Sequence, residues 1–253
     1  MKKLNVMFQS KPNFSDNAKS LYDFMKKKYK DKMNFYWVID NLKDFNRLKH
    51  KINCVLNDSE ELYNLFPEID IIFTTHGQLK ERKLENQIYV NLWHGVGPKK
   101  IGYLLPNEKM AKNDDVWYEE LREKTDYIIV PNNFWQLIFS AIFKTNYNRV
   151  LPIGYPKLNT IVNSDGIKNL SKILGFPVDV YKKVIFYTPT FKNGCNRKDA
   201  NVNTNNIFDL NPYDEKKLIN FLKENNYLLC VKRHFSEENI FPEPLCENIF
   251  SIK

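Results

Sequence analysis

The chain has 253 residues, 38 Lys and Arg against 30 Asp and Glu, 43% hydrophobic residues and 14% aromatic ones. That apolar content excludes a disordered chain, and the length allows one large domain or two small ones. A net charge of +8 favours acidic partners (nucleic acid, anionic lipid or phosphate-rich substrates) without choosing among them.

Along the chain, the two lysines of MKKLNVMFQ precede an apolar run too short for a signal peptide or a bilayer span, so Leu4–Gln9 reads as a first buried strand. Further strands are predicted at Phe35–Asp40, Cys54–Asn57, Ile69–Thr75, Ile88–Trp93, Tyr127–Pro131 and Val150–Gly154. Their hydrophobicity is continuous rather than alternating, as expected of strands covered on both faces. Helical patterns at Asn17–Tyr29, Ser59–Leu65, Asp115–Lys124 and Asn133–Phe143 lie between them, so the fold class is α/β with mostly parallel sheets. The polar stretch Asn163–Lys183, which includes a short helix-like segment, places a boundary between residues 1–162 and 163–253. Beyond it come a strand at Val184–Tyr187, a polar loop, a helix at Glu215–Asn225, a strand at Tyr227–Val231 and a short strand at Ile249–Ile252. Three strands are fewer than a doubly wound domain uses, so the second unit is expected to be incomplete.

Four clusters fall just after strand ends, where open α/β sheets hold ligands. The first, Trp93-His94-Gly95-Val96-Gly97-Pro98-Lys99-Lys100, joins an imidazole suited to general-base work with glycines that admit a ligand to the backbone and lysines that can hold phosphate. It reads equally as a tight turn with solvated lysines. The second is Gly154-Tyr155-Pro156-Lys157, the third Tyr187-Thr188-Pro189-Thr190-Phe191-Lys192, and the fourth Lys232-Arg233-His234. Hydroxyls and cations in the last two can contact phosphate, although turn residues and a solvated charge run would look the same.

In this order and spacing the clusters resemble the CDP-glycerol:poly(glycerophosphate) glycerophosphotransferase family. The likeness rests on Trp93-His94-Gly95 with Pro98, Lys100 and Gly102, then Gly154-Tyr155-Pro156, Tyr187 with Pro189-Thr190, and Lys232 with His234. It implies a GT-B-like architecture of two Rossmann-like domains: an acceptor domain at 1–162 and the start of a donor domain at 163–253. It implies His94 as general base and His234 beside the donor diphosphate. The expected substrate-binding residues are Trp93, Gly95, Lys99, Lys100, Gly154, Tyr155, Pro156, Lys157, Thr188, Pro189, Thr190, Lys192 and Lys232. The implied reaction moves glycerol phosphate, or another polyol phosphate, from a CDP-polyol donor to a lipid-linked teichoic-acid-like or capsular polymer, releasing CMP. No metal or cofactor is called for by these residues. The chain departs from the family in carrying Lys157 and Lys192 where arginine is usual and Asn159 where an acid is common; lysine keeps the charge but loses the bidentate fork. The family's later Asp-Tyr-Ser-Ser-like donor segment is not in this sequence.

The helix Asn133–Phe143 is apolar on two lines, Phe134-Leu137-Ile138-Ala141-Ile142 and Trp135-Phe139-Phe143. It reads as a buried interdomain helix, or alternatively as a helix resting on an anionic membrane. His76, also leaving a strand toward a glycine, reads as structural, with a place in the His94 cleft as the alternative; His50 reads as solvent-facing. Cys54, Cys195, Cys230 and Cys246 have no zinc spacing, and the chain is expected to be cytoplasmic and reduced, with peripheral membrane contact as the variant reading. Other readings are a sugar-nucleotide glycosyltransferase on the same plan and an inactive or binding fragment. Scattered lysines speak against a nucleic-acid protein.

Overall fold

The computed structural model describes residues 2–77, 79–97, 100–105, 112–189, 208, 212–232 and 246–252, with the backbone alone at 112–115. They form two compact units, Met1–Asn163 and Ser164–Lys253.

In the first unit the chain runs β1 (Leu4–Gln9), α1 (Asp16–Tyr29), β2 (Met33–Ile39), α2 (Leu42–Leu48), β3 (Cys54–Leu56), α3 (Glu60–Leu65) and β4 (Ile71–Thr74). It continues with β5 (Ile88–Asn91), α4 (Lys112–Lys124), β6 (Tyr127–Ile129), α5 (Asn133–Ile142), β7 (Val150–Leu151) and α6 (Pro156–Val162). The seven strands make one sheet in the order β3-β2-β1-β4-β5-β6-β7, and every pairing is parallel. The order reverses between β1 and β4, so the loops leaving these two strands diverge and open a crevice at their carboxyl ends.

Alternation along β1 feeds two cores. Val6 and Phe8 face α1, where Ala18, Tyr22 and Met25 are buried, and Phe8 stacks between Trp37 and Phe73 with ring centroids 5.3 Å from each. Met7 points to the other face, with Val38, Ile72 and Leu62 of α3. Burial on both faces is the arrangement that the continuous apolar runs predict.

The second unit contains α7 (Gly166–Leu174), β8 (Lys183–Tyr187), α8 (Glu215–Asn225), β9 (Tyr227–Val231) and β10 (Ile249–Ser251). Its sheet, also parallel, has the order β10-β9-β8. Leu170 of α7 packs with Leu228 and Cys230 on one face, and Leu222 of α8 with Leu229 and Val231 on the other.

Two helices escape the sequence pattern, and a third, α7, is the helix-like segment expected within Asn163–Lys183. α2 buries only Leu48 and is started by Asn41, whose side chain accepts the Asp44 N–H. α6 is concealed in the Gly-Tyr-Pro turn, with Pro156 in its first turn where the missing N–H costs nothing. α5 corrects one expectation: it is not buried all round. Phe139 and Ile142 enter the core, but Phe134 and Leu137 are 68% and 67% exposed. Among the described residues no helix is long and apolar enough to cross a membrane.

Candidate active site

β4 and β5 end side by side, with Thr74 paired to Asn91, so the residues that follow them meet at the sheet's carboxyl edge. The His76 and His94 rings stack there at 4.0 Å with an interplanar angle of 3°. Thr75 lies between the two strands' loops and serves both rings. Its backbone carbonyl meets His94 Nδ1 at 3.4 Å, and its hydroxyl meets His76 Nδ1 at 2.8 Å. A carbonyl can only accept, so His94 carries its proton on Nδ1 and presents Nε2 as a lone pair. The Thr75 hydroxyl also accepts the Lys11 N–H at 3.2 Å.

Both imidazoles are held neutral. Burial lowers the His94 pKa below its ordinary 6.5, and Lys157 lowers it further; the Thr75 carbonyl and Asp16 act in the opposite direction. His76 is pushed down to about 3, first by burial and then by His94, Lys11 and Lys157. An unfolded chain protonates His76 below pH 6.5 while the folded one does not. Stability therefore falls as pH drops from 6.5 toward 3, at about 1.4 kcal/mol per pH unit. A His76→Phe variant is expected to keep about 2 kcal/mol that the parent loses between pH 6.5 and 5. Urea unfolding at the two pH values measures this, and parallel losses in both proteins would refute it.

The turn carrying His94 is tightly held. Trp93 takes a positive φ of 50°, uncommon for a bulky residue, and its N–H is satisfied by the Asn91 side chain at 2.9 Å. Its indole is 4% exposed and packs edge-on against Phe139 and Phe143 of α5, at 5.9 and 5.1 Å. Asn17, fully buried in the first turn of α1, donates to the Leu92 and Trp93 carbonyls at 3.2 and 3.0 Å and accepts the Lys157 N–H at 3.2 Å. The Lys157 ammonium donates to the His94 carbonyl and pairs with Asp16 at 2.8 Å. Asp16 in turn sits at the positive end of α1, which favours its charge.

The structure thus draws His94, Tyr155 and Lys157 together. Trp93 and Tyr155 (4% and 6% exposed) pack into the core beside the turn, and Tyr155 also lines a pocket with Gly154 and Pro156. Lys157 is committed to Asp16 and to the histidine turn, because Pro156 starts α6 and directs the next residue back across the sheet edge. Gly95 has open space where a side chain would begin, as does Gly154, whose φ of 86° favours glycine. Lys100 is exposed. In the second unit, Thr188 and Pro189 follow β8 and Lys232 follows β9; the Lys232 N–H donates to the Tyr187 carbonyl at 3.0 Å, bringing these residues to one sheet edge. Lys99, Thr190, Lys192 and His234 lie outside the described residues. Sequence reasoning missed Thr75, Asp16 and Asn17, and read His76 as structural with a place beside His94 as the alternative; the two rings lie together. Thr-His-Gly after a strand was the only signal for the first of these; Asn17 looked like any helix-start residue.

The first unit is a doubly wound parallel sheet of the α/β class with a neutral, oriented imidazole at its carboxyl edge. The chain belongs to the CDP-Glycerol:Poly(glycerophosphate) glycerophosphotransferase family, whose model matches residues 1–249. It is 29% identical over 204 residues to a Staphylococcus epidermidis teichoic acid poly(glycerol phosphate) polymerase, a match covering 76% of this chain and 28% of that protein. It is 23% identical over 231 residues to a Staphylococcus aureus teichoic acid glycerol-phosphate transferase, covering 88% and 57%. A structure of the wall teichoic acid polymerase TagF superposes with a TM-score of 0.77 at 26% identity, over 100% of this chain and 61% of that one. The chain therefore spans less than two thirds of the length of each of these proteins. The α/β, GT-B-like fold class expected from the sequence holds.

Proposed function

We propose that this chain transfers glycerol phosphate, or a related polyol phosphate, from a CDP-polyol to a teichoic-acid-like polymer, with His94 as general base. The observation that carries the reading is the His94 imidazole, neutral and with Nε2 unprotonated, at the carboxyl edge of a chain in this family. An acceptor hydroxyl gives its proton to Nε2 as its oxygen forms a bond to the glycerol-side phosphorus of the donor. The bond from that phosphorus to the bridging oxygen breaks, and CMP leaves with the electron pair. Lys157 and Asn17 hold the turn, so little reorganisation is needed when the alcohol arrives. Thr188, Pro189 and Lys232, together with Thr190, Lys192 and His234, would take the donor phosphates in the second unit, and Lys99 and Lys100 those nearer the acceptor. The donor assignment is supported by the family and by a TagF structure soaked with CDPG, which this chain matches in fold with a TM-score of 0.76. CMP release from CDP-glycerol and CDP-ribitol tests the proposal. Release of UDP from UDP-sugars, with no CMP from either donor, would replace it by the glycosyltransferase reading.

The acceptor is proposed to be lipid-linked and met at the membrane surface on the cytoplasmic side. In support, α5 exposes Phe134 and Leu137 and is followed by the exposed Lys144 and Arg149. Burying one such side chain is worth about 1.5–3 kcal/mol. The Phe134→Ser/Leu137→Ser variant is accordingly expected to float with anionic liposomes at least tenfold less than the parent. Equal flotation of the two proteins, or flotation indifferent to anionic lipid, would remove this face from the account.

A further inference from the structure

At the opposite end of the first unit, where β1 and β2 begin, the surface folds into a pocket of about 380 Å³. Lys26, Lys30, Lys49, His50 and Lys51 rim it, Met33 and Ile52 are among its apolar lining, and no carboxylate lines it. Among the described residues none of these four lysines makes an ion pair. Lys26 donates to the Tyr22 hydroxyl at 2.9 Å with its ammonium 5.3 Å from that ring's centre, and the Lys49 ammonium lies 5.8 Å from the Phe45 ring centre, so each charge meets an aromatic ring and, among the described residues, no ion-pair partner. The negative end of α1 explains a lysine in its last turn, such as Lys26. The same effect reaches Lys30 and Lys49, which cap α1 and α2, but not His50 and Lys51, which lie beyond both caps. Bringing four like charges around one concavity costs repulsion that an anion would relieve.

We infer that this pocket is a binding site for a phosphodiester polyanion, and that it holds the polyol-phosphate polymer behind its reacting end. The identity of the polymer rests on the proposed function; the site itself does not. Two features select this ligand over other polyanions. The Tyr22 and Phe35 rings lining the pocket are only 4% and 8% exposed, which leaves the single imidazole of His50 as a surface for stacking and no row of rings for successive nucleic-acid bases. The site is concave, which suits a chain segment carrying discrete phosphates and not the plane of a bilayer. The six residues of β1, at about 3.3 Å each, put the pocket roughly 20 Å from the edge that bears His94. A chain held there bears on how long the product grows, not on the chemical step.

The test is binding of a fluorescent poly(glycerol phosphate) oligomer of defined length by the full chain. The probe is measured against the parent, K26Q/K30Q/K49Q/K51Q, and a control with the same charge removed from the second unit, K168Q/K172Q/K216Q/K217Q. The pocket variant is expected to bind about tenfold more weakly at low salt while the control binds as the parent does. Anionic phosphatidylglycerol vesicles and single-stranded DNA are expected to show no such difference between the two variants. Equal losses in both variants would reduce the effect to net charge and overturn the proposal. A pocket-specific loss with vesicles or DNA as large as that with the oligomer would reassign the surface to a membrane or a nucleic acid. In turnover, the pocket variant should release CMP at the parent rate with a single-unit acceptor but make shorter products on polymer. If the parent releases no CMP at all, the proposed reaction fails, while the binding comparison still decides this site.

Discussion

Alanine at position 94 is expected to lower CMP release from CDP-glycerol by about 100-fold or more, the scale on which a general base contributes. His94 is fixed by its neighbours in the tautomer a base requires: the Thr75 carbonyl occupies Nδ1, and burial keeps the ring uncharged. Alanine removes the proton acceptor but leaves the turn standing, because the turn is held by backbone groups. Asn17 and Lys157 bond to main-chain atoms of Leu92, Trp93 and His94, not to the imidazole. The loss should therefore appear in kcat with little change in KM or in unfolding free energy. A His94→Gln variant, closer in shape, should be equally impaired.

The second large effect is expected at a residue that touches no substrate in this account. Asn17→Ala removes two donors from the Leu92 and Trp93 carbonyls and one acceptor from the Lys157 N–H, all at a fully buried position. Each buried group left without a partner costs about 1–3 kcal/mol, so a total near 3 kcal/mol is a conservative expectation. In a unit of this size that shifts the melting temperature by roughly 6–12 °C. Asp at position 17 keeps the acceptor and loses both donors, and should fall between parent and alanine. Asn17 ties α1, the His94 turn and α6 together, so its loss should also free the ring and lower kcat well below the temperature of unfolding. A stable Asn17→Ala protein with parent kcat would show that the turn holds itself.

Burial and local chain geometry decide what can be read in the sequence in advance. Buried parallel strands announce themselves as apolar runs, and Leu4–Gln9, Cys54–Leu56 and Tyr227–Val231 lie where those runs lie. α2 and α6 are seven residues each and bury almost nothing, so no periodicity marks them. α5 misled because apolar residues cover most of its circumference; only packing shows that Phe139 faces inward and Phe134 outward. In the site, His94 was legible because an imidazole between a strand and a glycine turn is unusual. Its partners were not. Asp16 and Asn17 are some 75 residues away along the chain and meet the His94 turn only when α1 crosses the sheet, and Thr75 acts partly through a backbone carbonyl that has no sequence signature. Trp93 and Tyr155 sat inside the family motif, but that their bulk also packs into the core beside the histidine turn had no signal in the sequence.

The pH dependence of CMP release by the parent and by His94→Ala addresses the central claim most directly. A neutral base with a depressed pKa predicts that parent turnover falls only below pH 6.5, with an acidic limb that disappears from the residual activity of the variant. A variant that matches the parent in rate, or that retains the same limb, would mean that another group takes the proton.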